Sequence, residues 1–402
     1  MLVTKVIGDC PGCGAKDSFG NVSVHECVLR GCKHCQYQSE VWLPAIRKKV
    51  IYLDQFFFSG ALRGKDPRFK AAVERVKRMC HLQLLLAPYS SVHEDETHQW
   101  RGHEGMTKDE LMEFIKTTSR GAEFEKDYNV DRTQLLKAWR AFLTGQPPEY
   151  MFEDRDAIQG DLDEWDDYFR IDVGGYRRDI ELKRQLKKEA VDELVNVLDQ
   201  WQASTQTFDE AVALEIHDSA RQYLDTYLTM RERYAKGDFS AAMNSPMVAK
   251  VIEHMMHWLP QEQPFLERVR RCIEFFQSQH FAEVPSELLS SHMFATIREM
   301  VKLGAFSNRE DARKRLSGVF EDIKHISLYS PYCDAIVIDK FMADLVGKPT
   351  VNLHNRYGVK VFSLNNWDAL LEWLDTLEAG MSEEHKAGVT AAYPDVWTGV
   401  NA

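Results

Sequence analysis

Two sets of side chains in this sequence have the types and spacing to do chemistry. Cys10 and Cys13 in CPGC, and Cys32 and Cys35 in CKHC, form a C-x2-C-x18-C-x2-C arrangement. That spacing lies within the range of tetrahedral thiolate zinc sites, where two turns each present a pair of sulfurs to one ion. Gly12, Gly14 and Gly31 beside the cysteines suit such tight turns. Four thiolates saturate a zinc ion, so the expected Zn2+ is structural and not catalytic. Cys27, His25 and His34 lie close enough in the chain to replace one of the four ligands.

The second set is acidic. Hydrolysis assisted by divalent metals needs carboxylates that converge from different elements, because hard cations prefer oxygen ligands. In open α/β sheets such sites gather at the C-terminal ends of the strands. Asp54 follows the apolar run VIYL, and an aspartate is costly at the end of a buried strand unless something coordinates it. Glu94, Asp95 and Glu96 open a helix after the next apolar run, and either Glu94 or Glu96 is placed to act as a ligand. Acids in a first helical turn also simply suit the helix dipole. Asp334 in YSPYCDAIVIDK is the third candidate, with Asp339 five residues on. If that stretch is helical, the two are turned about 140° apart and need not share a face.

The elements that must hold these groups follow from periodicity. Residues 1–48 are Gly- and Cys-rich, with strand-like pieces at Asn21–Val28 and Gln36–Leu43, and Pro44 near the close. A buried strand over Val50–Leu53, a helix from Asp66 to about His81 with apolar residues at threes and fours, and a buried strand over Leu82–Pro88 make a strand-helix-strand unit. That order predicts a parallel α/β sheet. The pattern is helical through the middle of the chain, as in DEAVALEIHDSARQYLDTYLTMRERYA. It returns to α/β near the end, with a strand over Gly358–Leu364 and the helix NWDALLEWLDTL. The expected organisation is an N-terminal metal module at 1–48, an α/β domain in two parts at 49–120 and 300–378, a helical insertion at 121–299, and a loosely attached tail at 379–402.

The order LDQ after the first strand, then Ser91, His93 and Glu96 after the second, then CDAIVIDK with a closing strand and helix, resembles the PIN-like nucleases, particularly larger, divergent bacterial members. The N-terminal module resembles a zinc ribbon. The PIN-like resemblance implies a compact α/β sheet flanked by helices, whose first-strand Asp, helix-borne Glu and later Asp bind Mg2+ or Mn2+ and activate water to cut RNA. Carried over by position, Asp54 takes the first role, Glu96 or Glu94 the second and Asp334 the third, with Asp339 as a possible fourth. After the last strand many members carry a further Asp, where this chain has Asn365 and Asn366 before Asp368. The resemblance further implies a role in toxin or antiviral defence systems.

Composition bounds these readings. The net charge of −12 is the wrong sign for a surface that grips nucleic acid throughout, so contact with single-stranded RNA must be local. The basic run Arg47, Lys48 and Lys49 could guide such a strand, whereas the acidic excess lies around Glu149–Phe169. A protein partner could dock on the insertion or on the zinc module. Absence of a secretory signal pattern points to the cytoplasm. Ser91 reads as a helix cap, His93 as a polar helix residue or a partner behind the site, and Trp165 as helix core. Two other functions fit the same residues: a DNA nuclease, and a non-catalytic scaffold whose carboxylates are caps and surface charge.

Overall fold

The N-terminal module is an antiparallel meander of β1 (Lys5–Gly8), β2 (Phe19–Val24), β3 (Cys27–Cys32) and β4 (Gln38–Trp42), in that spatial order. β5 (Lys49–Leu53) follows, with Ile51 and Leu53 on one face and Val50 and Tyr52 on the other, all four buried. A strand apolar on both faces must lie inside a sheet covered on both sides. The computed structural model describes residues 2–100, 102–152, 155–160, 162, 164–165, 180–240 and 247–394, and it has such a sheet. β6 (Leu85–Leu86), β5, β7 (Ala335–Val337) and β8 (Lys360–Phe362) pair in that order, all parallel.

One face carries Ile51, Leu53, Leu85, Ala335, Val337 and Phe362. It packs on α1 (Gln55–Arg63), α2 (Pro67–His81) and the helix Trp367–Ala379. α2 forms because Asp66 caps it by accepting the Arg68 amide at 3.0 Å and Pro67 stands at its first position. Its Phe69, Ala72, Val73, Val76 and Met79 repeat at threes and fours and are buried. Each large member of that stripe contributes roughly 1.5–3 kcal/mol, and a charge at Val76 would break the packing.

The other face carries Val50, Tyr52, Leu86 and Ile336. Its cover includes the C-terminal half of α6 (Ile180–Ala203), which buries Val191, Leu194, Val195 and Leu198, together with the helices Pro285–Lys302 and Val319–Tyr329. The inserted helices therefore do more than decorate the sheet, because they supply half of its core. α3 (Ser91–Gln99) packs on α4 (Lys108–Thr118) and α6, α4 packs also on α1 and α2, and α5 (Asp127–Thr144) follows. A separate core joins Leu135, Ala138 and Trp139 of α5 to α7 (Phe208–Ala235) and the helices Met247–His257 and Phe265–Phe276.

Several sequence expectations change. The predicted strand Leu82–Pro88 is only Leu85–Leu86, because α2 ends in a turn with Gln83 at φ 59° whose following amide, Leu84 N–H, donates to Met79 O at 3.0 Å. The predicted strand Asn21–Val28 spans the β2–β3 turn instead. Part of the expected tail is a docked helix, Glu383–Ala392, with Val389 and Ala392 buried. Asn21 Nδ2 and Arg30 of the N-terminal sheet donate to its Ala392 and Ala391 carbonyls, each at 2.9 Å. The basic run is not a free guide: Lys48 is buried with its ammonium on the Glu164 carbonyl, and Lys49 pairs with Asp334. Trp165 is buried with its indole N–H on Pro44 O at 2.9 Å, while much of the acidic run around it falls outside the described residues. Among the described residues no helix is long and apolar enough to cross a membrane.

Candidate functional site

Cys10, Cys13, Cys32 and Cys35 come together, with all four sulfurs within 4.8 Å of one another. The Cys10–Cys35 and Cys13–Cys32 pairs stand 3.6 and 3.8 Å apart. A tetrahedron with zinc–sulfur bonds of about 2.3 Å has edges of about 3.8 Å, so the cage already has the right size. Amides of Gly12, His34 and Tyr37 point at Cys10, Cys32 and Cys35 sulfurs at 3.3, 3.3 and 3.4 Å, which favours thiolates. Burial opposes ionisation of Cys32, yet the His34 amide and Ser18 hydroxyl pull its thiol down to about 5. Cys35 has the Tyr37 amide in its favour, but burial and the neighbouring sulfurs push it up to about 12. Crowded thiols that cannot all ionise alone can do so around a cation, so the donor set fits a metal such as zinc. Cys27, His25 and His34 are not part of the cluster.

The second assembly forms where parallel strands end. Asp54 follows β5, and its N–H donates to Val337 O of β7 at 3.0 Å. Asp339 follows β7 two residues beyond Val337 and caps the next helix, accepting the Met342 amide at 2.8 Å. Glu96 comes from the middle of α3, and Asp322 from the first turn of Val319–Tyr329. Their charges act on one another. Burial, then the Glu96 charge, pushes Asp54 up to about 7, helped by Asp339 and opposed by the Gln55 amide. Burial, then Asp54, Glu96 and Asp339, pushes Asp322 well above the usual carboxylate range. Burial also raises Glu96, with Lys187 as the opposing charge. Among the described residues only the cysteines bring three or more ligand atoms within 4.8 Å, so the carboxylates stand wider than a single ion's immediate shell.

The structure does not bring Asp334 into this group. The stretch CDAIVIDK is a strand and not a helix, and Asp334 precedes β7 while Asp54 follows β5. Parallel pairing of Ile51 with Ala335 puts them at opposite ends of the sheet. The Asp334 carboxylate instead accepts the Val50 amide at 2.9 Å and pairs with Lys49 at 2.7 Å, stitching the two strands together. Asn366 likewise has a structural task, accepting the Ser363 amide at 2.7 Å and donating to Val361 O at 2.9 Å. Glu96 acts on Asp54, while Glu94 lines the cleft beside it.

Asp322 is the member that sequence reasoning missed. Its signal was available, because Val319, Asp322, Ile323 and Ile326 repeat at three, one and three, placing the acid on the buried apolar face of its helix.

Behind the rim, His93 is a clamp. Ser90 N–H donates to Nδ1 at 2.9 Å, which leaves the ring proton on Nε2 to donate to Leu53 O at 2.8 Å. Burial pushes His93 down to about 4, so the ring is neutral and holds the residue before Asp54 in place. The helix cap here is Ser90, one residue before the expected Ser91. Gln55 ties the rim to α3 through Nε2 on Thr97 Oγ1 at 3.1 Å, and its buried Oε1 has no hydrogen-bond partner. Beside Glu96 opens a cleft of about 610 Å³ whose walls include Lys126, Tyr128, Lys187, Phe320 and Lys324.

The fold and site thus define a mixed α/β protein with a helix-flanked parallel sheet, an acidic rim at its C-terminal edge, and an N-terminal cysteine cage. Comparison of the chain with family models, curated proteins and solved structures gives no match.

Proposed function

We propose that this chain is a metal-dependent endonuclease of the PIN-like kind, acting on single-stranded RNA, with a zinc ribbon as its N-terminal module. The observation that carries this reading is the mutual effect of Asp54, Glu96, Asp322 and Asp339 at the C-terminal rim of the parallel sheet. Buried like charges are unfavourable unless protonated or matched by a cation, and oxygen donors match Mg2+ or Mn2+. The orphan Gln55 carbonyl adds a neutral oxygen donor beside Asp54. First-strand Asp, helix-borne Glu and later Asp are the roles the resemblance implies, with Asp339 in the place first given to Asp334 and Asp322 added.

Divalent ions held there would polarise a phosphodiester and lower the pKa of an attacking water. The chain's own residues do the rest. His93 and Gln55 fix the rim, the carboxylates hold the cations, and Lys126 and Lys324 line the adjoining cleft where a phosphate backbone can approach. The test is cleavage of labelled single-stranded RNA and DNA with Mn2+ or Mg2+ by the zinc-loaded protein, Asp54→Asn and an EDTA control. Metal-dependent cutting that disappears in the variant supports the reading, and the preferred substrate separates RNA from DNA. No cutting of either polymer returns the rim to the scaffold reading.

A further inference from the structure

The carboxylate rim carries its own cation. Lys187 of α6 places Nζ 3.3 Å from Glu96 Oε1, with both side chains partly shielded from water. Its charge acts on Asp322 and His325 as well as on Glu96. Lys187 is therefore set among the same groups that a divalent ion would neutralise.

The helix that delivers it is anchored unevenly. The C-terminal half of α6 buries Val191, Leu194, Val195 and Leu198 in the sheet core. Its N-terminal half lies against α3, where Arg184 donates to Gln99 O and Lys187 pairs with Glu96, while Leu186 between them is 55% exposed. That half is held by polar tethers to α3, and one of these ends on a proposed metal ligand.

We propose that Lys187 is a displaceable counter-ion: its ammonium balances the carboxylates of the metal-free protein, and a divalent cation must evict it, loosening the N-terminal half of α6 from α3. The inference rests on the metal reading of the rim. Two cations cannot share Glu96 without repulsion, so the metal gains affinity when the ammonium is removed. The loosened half of α6 borders the cleft beside Glu96, so eviction also widens the approach to the metal.

Mn2+ binding to the full-length, zinc-loaded protein, measured by the paramagnetic resonance of free Mn2+, tests this without any substrate. Lys187→Met, which keeps the apolar stem, should bind Mn2+ about fivefold more tightly than wild type. Lys187→Arg should bind as wild type does, and Asp54→Asn should bind weakly. Equal or weaker binding by Lys187→Met, with normal wild-type binding, overturns the counter-ion role and leaves the metal site standing. No Mn2+ binding by either protein overturns both. Should Lys187→Met fold poorly, hydrogen exchange of the wild type decides. Mn2+ should speed exchange of the 184–190 amides, and unchanged or slower exchange there overturns the displacement.

Discussion

Asp54 and Asp339 leave neighbouring parallel strands at nearly the same height and both stand at the N-cap of the following helix, yet only Asp339 spends an oxygen on capping. The Asp54 side chain makes no cap bond of that kind, and although the Gln55 and Phe56 amides pull it down, burial and then Glu96 push it up to about 7.

This asymmetry separates the acids by experiment. Asp54→Asn should lower metal-dependent cleavage by at least about 100-fold with little change in melting temperature, because the Gln55 and Phe56 amides that act on its carboxylate can still donate to an amide oxygen. Asp334→Asn should do the reverse. It weakens the Lys49 pair and the Val50 contact, costs about 1 kcal/mol of stability, and leaves single-turnover cleavage near wild type. Loss of cleavage in Asp334→Asn would reinstate it as a ligand.

His93 should be the most costly rim residue to remove. Replacement by Ala strands the Ser90 amide and the Leu53 carbonyl in a buried site, for a loss of roughly 2–4 kcal/mol in denaturant unfolding. Because folding lowers its pKa from 6.5 to about 4, its contribution is complete above about pH 6.5 and is lost as pH falls toward 4. The wild-type and His93→Ala stability curves should therefore converge on acidification.

A buried carboxyl pair in the helical part gives the opposite pH dependence. Tyr223 Oη lies 2.9 Å from Asp131 Oδ2 and 3.4 Å from Glu287 Oε1, and it has one proton to give. Burial, then the Asp131 charge, raises Glu287 from 4.5 to about 7, so its stabilising form is the protonated one, present below the unfolded value and lost as pH rises through 7. Glu287→Gln should melt above wild type at pH 8, by an amount on the order of 2–3 kcal/mol, and lose that advantage by pH 5.

The cysteine cage should carry one zinc per chain by mass spectrometry, and Cys32→Ser should abolish stoichiometric loading. Since Asn21 and Arg30 of that sheet hold the Ala391 and Ala392 carbonyls, metal removal should also speed amide exchange across Glu383–Ala392, far away in sequence. Unchanged protection there would mean that the N-terminal sheet holds its shape without metal.

What the sequence disclosed and what it withheld have physical reasons. The cysteine spacing is local chemistry, so Cys10, Cys13, Cys32 and Cys35 were legible outright. Asp54 was legible because an acid after four buried residues is conspicuous. Asp334 misled because a three-residue strand has too little length to declare its period, and without the strand's ends Asp334 and Asp339 cannot be told apart. Asp322 required reading an acid on an apolar helical face, and its neighbours at the rim are 226 or more residues earlier in the chain, apart from Asp339. The tail helix looked loose because its small residues Gly388, Val389 and Ala392 gain meaning only against the N-terminal sheet and Trp165.

The pairing of β5 with β7 has a consequence for the birth of the protein. Val50 and Asp334, bonded across the centre of the sheet, are 284 residues apart in the chain. A ribosome that has released β5 must add all of the intervening residues before its central partner emerges, and such distant pairing closes slowly. Asp339 and Asp322 arrive with that late segment. Chains terminated before residue 322 therefore carry the four cysteines but only Asp54 and Glu96 of the acidic rim, and the proposed activity appears only once Asp322 and Asp339 have been made.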